Sequence, residues 1–236
     1  MKFIIILFLV AFSSAVEFNC KFKDDYTCEV ISGRIINKAD SYVTGVQGDH
    51  KEGKSNKNVG VFDGRKVSIK YFPRNLNTYF PNIHQIFIER KLREITKEDL
   101  QDFPMLVYLY LSFNDIQIIE KDLFIYNPEL RLVFLNENRI KYVDPNVFKN
   151  LPKLIYLGFE DNDCHSGIVE QGRSNVVGLI KKISDQCSNP IISNELELEM
   201  KIIKQNLEVI GIKKELIEMN FKYELCKPYI KDYVDY

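Results

Sequence analysis

The chain has 236 residues, of which 45% are hydrophobic, and its 32 basic and 33 acidic side chains give a formal net charge of −1. This length is sufficient for a substantial buried core. The near-neutral charge argues against a general nucleic-acid-binding or anionic-membrane-binding protein, because both classes need a basic surplus.

Residues 1–15 have the composition of a secretory signal peptide. Lys2 precedes an apolar run of about ten residues, and Ser13 and Ala15 are small residues at the spacing of a cleavage site. We predict cleavage after Ala15 and an extracellular location. A retained membrane anchor is the alternative, but the run is shorter than the roughly 20 residues that a spanning helix needs.

Residues 16–68 are predicted to form a β-rich N-terminal cap. The strand candidates are C28-E-V-I, Y42-V-T-G-V and V59-G-V-F, and the span between Cys20 and Cys28 is short enough for a hairpin. Because secretion favours disulfides, we expect Cys20 to pair with Cys28. The polar stretch at 48–58 contains Gly-Lys-Ser, as phosphate-binding loops do. It lacks the flanking strand and helix of such a loop, so we predict a solvated hairpin loop.

Residues 69–163 contain a repeat. The block L106-V-Y-L-Y-L-S-F-N-D-I recurs as L130-R-L-V-F-L-N-E-N-R-I and L154-I-Y-L-G-F-E-D-N-D-C. An earlier block from Ile83 fits with one residue missing between Ile88 and Leu92, and the prolines at 81, 104, 128 and 152 give periods of 23, 24 and 24. These periods lie within the range of leucine-rich repeats. The predicted fold is therefore α/β, a short leucine-rich repeat solenoid with a parallel concave β-sheet.

The repeat register assigns a direction to each strand side chain. Positions 4 and 6 of each block point into the core, whereas positions 3, 5 and 7 point to the concave face. The asparagines at position 9 stand where the chain leaves the strand, and we interpret them as structural residues whose amides bond backbone groups. They are Asn114, Asn138 and Asn162.

An aromatic row is predicted on the concave face. Phe87, Tyr110 and Phe134 share position 5 and should form a ladder with rungs about 4.8 Å apart. Tyr108 and Tyr156 flank the ladder. An exposed aromatic row needs a cover, which we interpret as an external apolar or partly basic partner, or as the tail helix. Glu89, Glu137, Glu160 and Asp161 edge the row, and the predicted ligand-binding residues are Phe87, Tyr108, Tyr110, Phe134, Tyr156, Glu89 and Glu160.

Residues 164–188 are predicted to form a cap closed by a disulfide between Cys164 and Cys187, which are 23 residues apart. Cys226 is then left over, and an odd cysteine in a secreted protein can crosslink two chains. Zinc ligation is the alternative for the cysteines. We predict no metal site, because the chain has no C-x-x-C motif and no paired histidines.

Residues 189–236 are predicted to form an amphipathic helical tail. Its apolar residues follow a 4-3 alternation typical of a coiled coil. The helix can dock on its own solenoid or on another chain, which would give a homo- or heterodimer through residues 193–226. The apolar residues are Leu196, Met200, Ile203, Leu207, Ile210, Ile217 and Phe221.

Enzyme chemistry has little support in the sequence. The histidines are His50, His84 and His165, and none of them lies in a nucleophile motif such as G-x-S-x-G. His165 follows Cys164, but that cysteine is assigned to a disulfide. We therefore predict neither catalytic residues nor a cofactor.

Several landmarks together resemble the secreted leucine-rich repeat proteins of mosquitoes and midges. They are the Cys20–Cys28 pair, V43-T-G-V-Q-G-D-H-K-E-G-K-S-N-K-N-V, F72-P73, Y79-F80-P81-N82, the repeats, and N162-D-C with its later cysteine. The resemblance covers residues 18–188 and implies a secreted, non-catalytic binding scaffold. The chain departs from that pattern in its short N-terminal cysteine spacing, in Lys91 at an asparagine position, and in its long tail. It is also similar to insect immune leucine-rich repeat proteins that carry a coiled coil after the repeats.

Two functions remain open. The first is a secreted, non-catalytic recognition module that binds a protein, peptide or microbial-surface partner through the concave face. The alternative is a structural or assembly subunit that oligomerises through its C-terminal helix. Neither requires nucleic acid, a membrane span or a cofactor.

Overall fold

The computed structural model describes residues 15–33, 41–164, 170–171 and 173–188. Residues 1–14 of the predicted signal peptide, the tail with its apolar stripe and Cys226, and His165 lie outside the described residues. The strands are β1 (Ala15–Phe22), β2 (Thr27–Gly33), β3 (Tyr42–Gln47), β4 (Val61–Asp63), β5 (Gln85–Phe87), β6 (Tyr108–Tyr110), β7 (Ile118–Ile119), β8 (Leu132–Phe134), β9 (Tyr142–Val143), β10 (Tyr156–Gly158) and β11 (Glu170–Gln171). The helices are α1 (Leu76–Tyr79), α2 (Lys97–Leu100) and α3 (Arg173–Cys187), with 3-10 turns at Asn56–Asn58 and Val147–Asn150.

A nine-stranded sheet runs through this part of the chain in the order β11-β10-β8-β6-β5-β4-β2-β1-β3. Its strands from β4 to β10 are parallel and in one register, so that position 3 of each repeat lies beside position 3 of the next. A second parallel pair, β7 with β9, follows the concave strands in two of the repeats. The architecture is the predicted leucine-rich repeat solenoid.

The apolar spacing of the repeats produces one continuous core. Position 4 of each concave strand is fully buried, as the strand alternation requires. Position 6 is buried in the same way, and the core cluster extends from Val16 to Cys187. Because a single repeat cannot cover its own apolar side, this burial depends on its neighbours. The position 4 residues are Ile86, Leu109, Val133 and Leu157, and the position 6 residues are Ile88, Leu111, Leu135 and Phe159.

The position 9 asparagines are structural, as predicted. Asn114 donates from Nδ2 to the carbonyls of Ile88, Leu111 and Ser112, at 2.9, 3.0 and 3.2 Å, and its Oδ1 accepts the Leu92 amide at 2.9 Å. Asn138 and Asn162 repeat this pattern one and two turns later. Each side chain therefore bonds the backbone of its own repeat and of the preceding one.

The shortened repeat is accommodated by two residues with positive φ. In the three full repeats the residue before the asparagine has a φ of 60° (Phe113), 50° (Glu137) or 54° (Asp161). In the shortened repeat Arg90 takes the same conformation, with a φ of 68°, and Lys91 follows with a φ of 95°. Lys91 is thus a non-glycine residue in the left-handed region, where the Cβ atom meets steric strain.

The N-terminal cap is continuous with the repeat sheet. β1 and β2 form an antiparallel hairpin, and a disulfide joins Cys20 to Cys28, the pair expected from the sequence. β4 pairs in parallel with both β2 and β5. The first strand of the solenoid register therefore begins at Val61, upstream of the expected boundary at residue 69.

The polar stretch at 48–58 is not a hairpin loop, contrary to the prediction. β3 pairs in parallel with β1, whereas β4 pairs with β2, so the loop leaves the edge strand β3 and enters β4 with two strands, β1 and β2, between them. His50 anchors it. Its ring stacks on Phe22, with 4.0 Å between the ring centroids. Nδ1 lies 3.0 Å from the Tyr26 hydroxyl, and Nε2 lies 2.9 Å from Asn56 Oδ1.

The C-terminal end of the solenoid is closed by β11 and α3. β11 pairs antiparallel with β10, and a disulfide joins Cys164 to Cys187 at the end of α3, again the expected pair. The buried face of α3 carries Val176, Leu179 and Ile183, whereas Val177 is 60% exposed. The spacing of the buried residues matches a helix that covers the last repeat with one face.

Candidate binding surface

Four neighbouring strands place five aromatic side chains on one face of the sheet. We call Phe87, Tyr108, Tyr110, Phe134 and Tyr156 the concave aromatic cluster. β5 supplies the first, β6 the two central tyrosines, β8 the fourth and β10 the last. Buried aliphatic residues alternate with these rings along each strand, so the register of the core fixes the rings on the opposite face.

The rings of position 5 pack on one another in sequence, and the rings of position 3 interleave with them. Phe87 lies 4.9 Å from Tyr108 and 5.9 Å from Tyr110 between ring centroids, and Phe134 lies 5.2 and 5.4 Å from the same two tyrosines. Tyr156 packs on Phe134 at 4.5 Å. Rings of position 5 are thus farther apart than the strand spacing of about 4.8 Å. The rings of position 3 pack between them, which the prediction did not include.

All five rings are half-buried. Burial is the main cause that raises the pKa of Tyr108, Tyr110 and Tyr156 above the ordinary tyrosine value. Nearby carboxylates raise these pKa values further: the charge of Glu89 acts on Tyr110, and that of Glu160 acts on Tyr156. The row is therefore less exposed than the sequence indicated, since each ring covers part of the next.

A charged group from the N-terminal cap covers one end of the cluster. The Arg65 guanidinium lies 4.9 Å from the centroid of Phe87, within cation–π distance. Asp63 holds it through bonds of 2.9 Å from Nε and 2.8 Å from Nη2. Burial alone would raise the pKa of Asp63, but the Arg65 hydrogen bonds outweigh it and lower that pKa.

Beside this pair lies a second buried carboxylate. The Glu29 carboxylate forms salt bridges with Lys23 Nζ at 2.9 Å and with Lys66 Nζ at 3.2 Å. Lys23 Nζ also lies 3.9 Å from the Asp63 carboxylate. The bond from Lys23 is the main cause that lowers the pKa of Glu29. The cap end of the concave face is therefore a network of paired charges.

At the opposite end of the face, a glycine packed against Asn136 takes the place of a position 5 ring. Gly158 occupies position 5 in β10, where the other repeats have rings. A Cβ atom there would lie 2.1 Å from Asn136 Oδ1, so no side chain fits without movement of Asn136. Asn136 in turn donates from Nδ2 to Glu160 at 3.1 Å.

Every predicted ligand-binding residue thus lies on one surface. Phe87, Tyr108, Tyr110, Phe134 and Tyr156 form its centre, and Glu89 and Glu160 lie at position 7 beside them. Sequence reasoning missed Asp63 and Arg65. Val59 and Phe62 could have revealed them, because they fit the apolar positions 1 and 4 of a repeat. That register places Asp63 at position 5 and Arg65 at position 7, both on the concave face.

Other site types find no support in the described part of the chain. Among these residues, no group of three or more His, Cys, Asp or Glu side chains is arranged to hold a metal ion. Cys164 lies in a disulfide, so its thiol is not available as a nucleophile. No helix among the described residues is long and apolar enough to cross a membrane.

Comparison with known proteins identifies the repeat type. Residues 104–163 match the family model described as Leucine rich repeat. The solenoid is built of leucine-rich repeats. A search of curated proteins returned no match.

Three solved structures show similarity at low sequence identity. A chain of the Toll–Spatzle complex of Drosophila is 15% identical, with a TM-score of 0.43, over 51% of this chain and 17% of that one. The leucine-rich repeat domain of APL1B is 21% identical, with a TM-score of 0.36, over 37% and 26%. That of APL1 is 16% identical, with a TM-score of 0.46, over 62% and 43%. The matched part spans less than half the length of each of these chains.

Proposed function

We propose that this protein is a non-catalytic recognition module that binds a protein, peptide or microbial-surface partner through its concave aromatic cluster. The observation that carries the proposal is five half-exposed rings held in one register and edged by charged groups. Binding hot spots are enriched in tyrosine and in rigid apolar anchors within a polar rim. The cluster has both features, and the buried core beneath it fixes the rings before any partner arrives.

We further propose that the module acts outside the cell. Two disulfides close the two ends of the solenoid, and such bonds persist in oxidising compartments. The predicted signal peptide supports the same location. The repeats between the disulfides contain no further cysteine, which suits a scaffold that works in that environment.

The test is affinity capture from the extracellular fluid of the source organism, with the tagged full-length chain as bait. Tyr110→Ala removes a central ring, and Tyr126→Ala is the matched control because Tyr126 is 47% exposed between β7 and β8, away from the concave strands. We expect Tyr110→Ala to weaken capture by roughly tenfold or more, as loss of a hot-spot aromatic does.

Thermal unfolding of both variants separates lost binding from lost folding. Equal capture by the Tyr110→Ala and Tyr126→Ala proteins, with both folded, would remove the concave cluster from the binding model. An equal loss of partner capture in both variants would indicate a general effect of removing a tyrosine, and it would also count against the proposal.

A further inference from the structure

The chain already binds one guanidinium group on this surface. Arg65 lies over the Phe87 ring at 4.9 Å, and the Asp63 carboxylate accepts two of its N–H groups. An aromatic face and a carboxylate therefore suffice here to hold a planar cation. Arginine fits such a site well, because its fork matches a carboxylate and its plane stacks on a ring.

The same positions recur one repeat later with the charge reversed. Arg65 stands at position 7 of the strand before Phe87, and Glu89 stands at position 7 of the strand before Tyr110. The electrostatic surroundings of Tyr110 agree with this placement. After burial, the charge of Glu89 is the next cause that raises its pKa, and Glu137 from the following repeat acts in the same direction.

Three positive side chains at the cap end of the concave face each lie against a carboxylate. Arg65 is bonded to Asp63, and both Lys23 and Lys66 are bonded to Glu29. In the described part of the chain, no ion pair includes Glu89, Glu137 or Asp161. Glu89, Glu137 and Glu160 thus place negative charge next to the tyrosine rings of this half of the concave face, close enough to raise the pKa of Tyr110 and Tyr156.

We propose that the concave aromatic cluster binds an arginine-bearing peptide segment of a protein partner, with one guanidinium over Tyr110 and bonded to Glu89 and Glu137. This inference rests on the proposed function and narrows it to a basic partner. A guanidinium placed there would repeat the contact of Arg65 with Phe87, and its charge complements the carboxylates. An acidic peptide would meet like charges on the same surface.

The experiment uses three blocked hexapeptides, of arginine, lysine and glutamate, titrated into the oxidised full-length protein by isothermal calorimetry at low and at physiological ionic strength. We expect the arginine peptide to bind most tightly and the glutamate peptide not to bind. Binding of the arginine peptide should weaken with salt, since exposed charges are screened. The net charge of the chain is only −1, so general attraction of cations is small.

Three variants locate the site. We expect the Glu89→Gln/Glu137→Gln protein to bind the arginine peptide roughly fivefold more weakly, because two exposed ion pairs are lost. Tyr110→Leu should weaken it roughly threefold through loss of the cation–π contact. The control is Glu52→Gln, which removes one negative charge from an exposed position in the loop between β3 and β4 and should leave binding unchanged.

Several results would overturn the inference. One is equal binding of the glutamate and arginine peptides, and another is an equal effect of Glu52→Gln and of the Glu89→Gln/Glu137→Gln pair. Self-association of the protein that Glu89→Gln/Glu137→Gln abolishes would identify a second copy as the occupant. Tighter binding by a synthetic peptide of residues 190–236 than by the arginine peptide would identify the chain's own tail.

These outcomes are separable from the proposed function. If Tyr110→Ala abolishes capture of the natural partner while the arginine peptide does not bind, the surface is a binding site but its partner is not basic. If the arginine peptide binds as described and capture is unaffected by Tyr110→Ala, the charge chemistry is correct but the natural partner uses another surface.

Discussion

Asn138 joins two repeats through one side-chain amide. Its Nδ2 donates to the carbonyls of Leu111, Leu135 and Asn136 at 2.8, 3.1 and 3.2 Å, and its Oδ1 accepts the Ile116 amide at 3.1 Å. The side chain is 6% exposed. Loss of the amide would leave these backbone groups without a partner in a buried site, and an unpaired buried group costs far more than an average hydrogen bond contributes.

We therefore expect Asn138→Ala to lower the free energy of unfolding by about 3 kcal/mol. Urea unfolding of the oxidised protein measures this change. The control is Asn146→Ala, at an exposed position beside the 3-10 turn Val147–Asn150, where we expect about 0.5 kcal/mol or less. Similar losses in the two variants would contradict a special role for the position 9 asparagines.

A fourth buried asparagine was not predictable from the repeat pattern. Asn127 is fully buried and donates from Nδ2 to the carbonyls of Leu100 and Phe103 at 3.0 and 2.9 Å. It stands directly before a proline, at the position that the other repeats fill with an apolar residue. The repeat therefore predicts an apolar side chain there, and the local sequence Tyr-Asn-Pro predicts an exposed turn. Only the fold shows that two carbonyls of the preceding repeat need a donor. The apolar residues are Phe80, Phe103 and Leu151.

Among the elements, the concave strands were the most predictable. Alternation of apolar side chains fixed the register of β5, β6, β8 and β10, and that register placed all five rings on one face. Interleaving of the rings was not predictable, because the sequence assigns a side chain to a face without its tilt toward the next strand.

β4 was not recognised as a repeat strand from the sequence, because a glycine, Gly64, occupies position 6. A Cβ atom at Gly64 would lie 2.8 Å from Ile69 Cδ1 and 3.1 Å from Phe62 Cε1, so the inward space is already filled. The repeat therefore lacks the Leu or Ile that marks this position elsewhere. Consequently the boundary was predicted at residue 69, and Asp63 and Arg65 were assigned to the cap.

The disulfide of α3 should stabilise the end of the solenoid. It closes a span of 23 residues, for which loss of unfolded-state entropy predicts about 3 kcal/mol. We expect the Cys164→Ser/Cys187→Ser protein to lose about this much and to exchange amide hydrogens faster in α3 and β10, as measured by mass spectrometry.

The Cys20→Ser/Cys28→Ser protein is the matched comparison at the other end. Its span of 8 residues predicts a smaller loss of about 2.5 kcal/mol, with faster exchange in β1 and β2. Non-reducing peptide mapping must recover both native pairs first. A Cys28–Cys164 peptide would contradict the assignment of one disulfide to each end.

For the whole molecule, the carboxylates make the N-terminal end of the solenoid and the repeat that contains α2 respond differently to acid. Asp63 and Glu29 have lowered pKa values in the folded protein, so they stabilise it above their ordinary values of 3.8 and 4.5. That stability is lost as the pH falls below those values toward the folded-state pKa. Burial raises the pKa of Asp99, so the folded protein binds this proton more readily than the unfolded chain does. Protonation of Asp99 in acid therefore does not reduce the stability of the fold.

We therefore expect acid to open the N-terminal end first. At pH 3, amide protection factors should fall more in β1, β2 and β4 than in α2 or β8, relative to pH 6. A solenoid can respond in this way because each repeat contacts only its neighbours. The Asp63→Asn/Glu29→Gln protein should be less stable at pH 6, and its loss of protection at pH 3 should differ less between β1, β2 and β4 on one side and α2 and β8 on the other. Uniform loss of protection along the wild-type chain would contradict the expectation.

The concave aromatic cluster also gives the protein an optical signal. The chain has 13 tyrosines and no tryptophan, so tyrosine alone determines its ultraviolet emission. Tyr108, Tyr110 and Tyr156 each pack against a phenylalanine, and their raised pKa values delay phenolate absorption to more alkaline pH than in an exposed tyrosine. A partner that covers these rings changes the environment of three intrinsic fluorophores at once. Occupancy of the surface can therefore be followed without an attached dye.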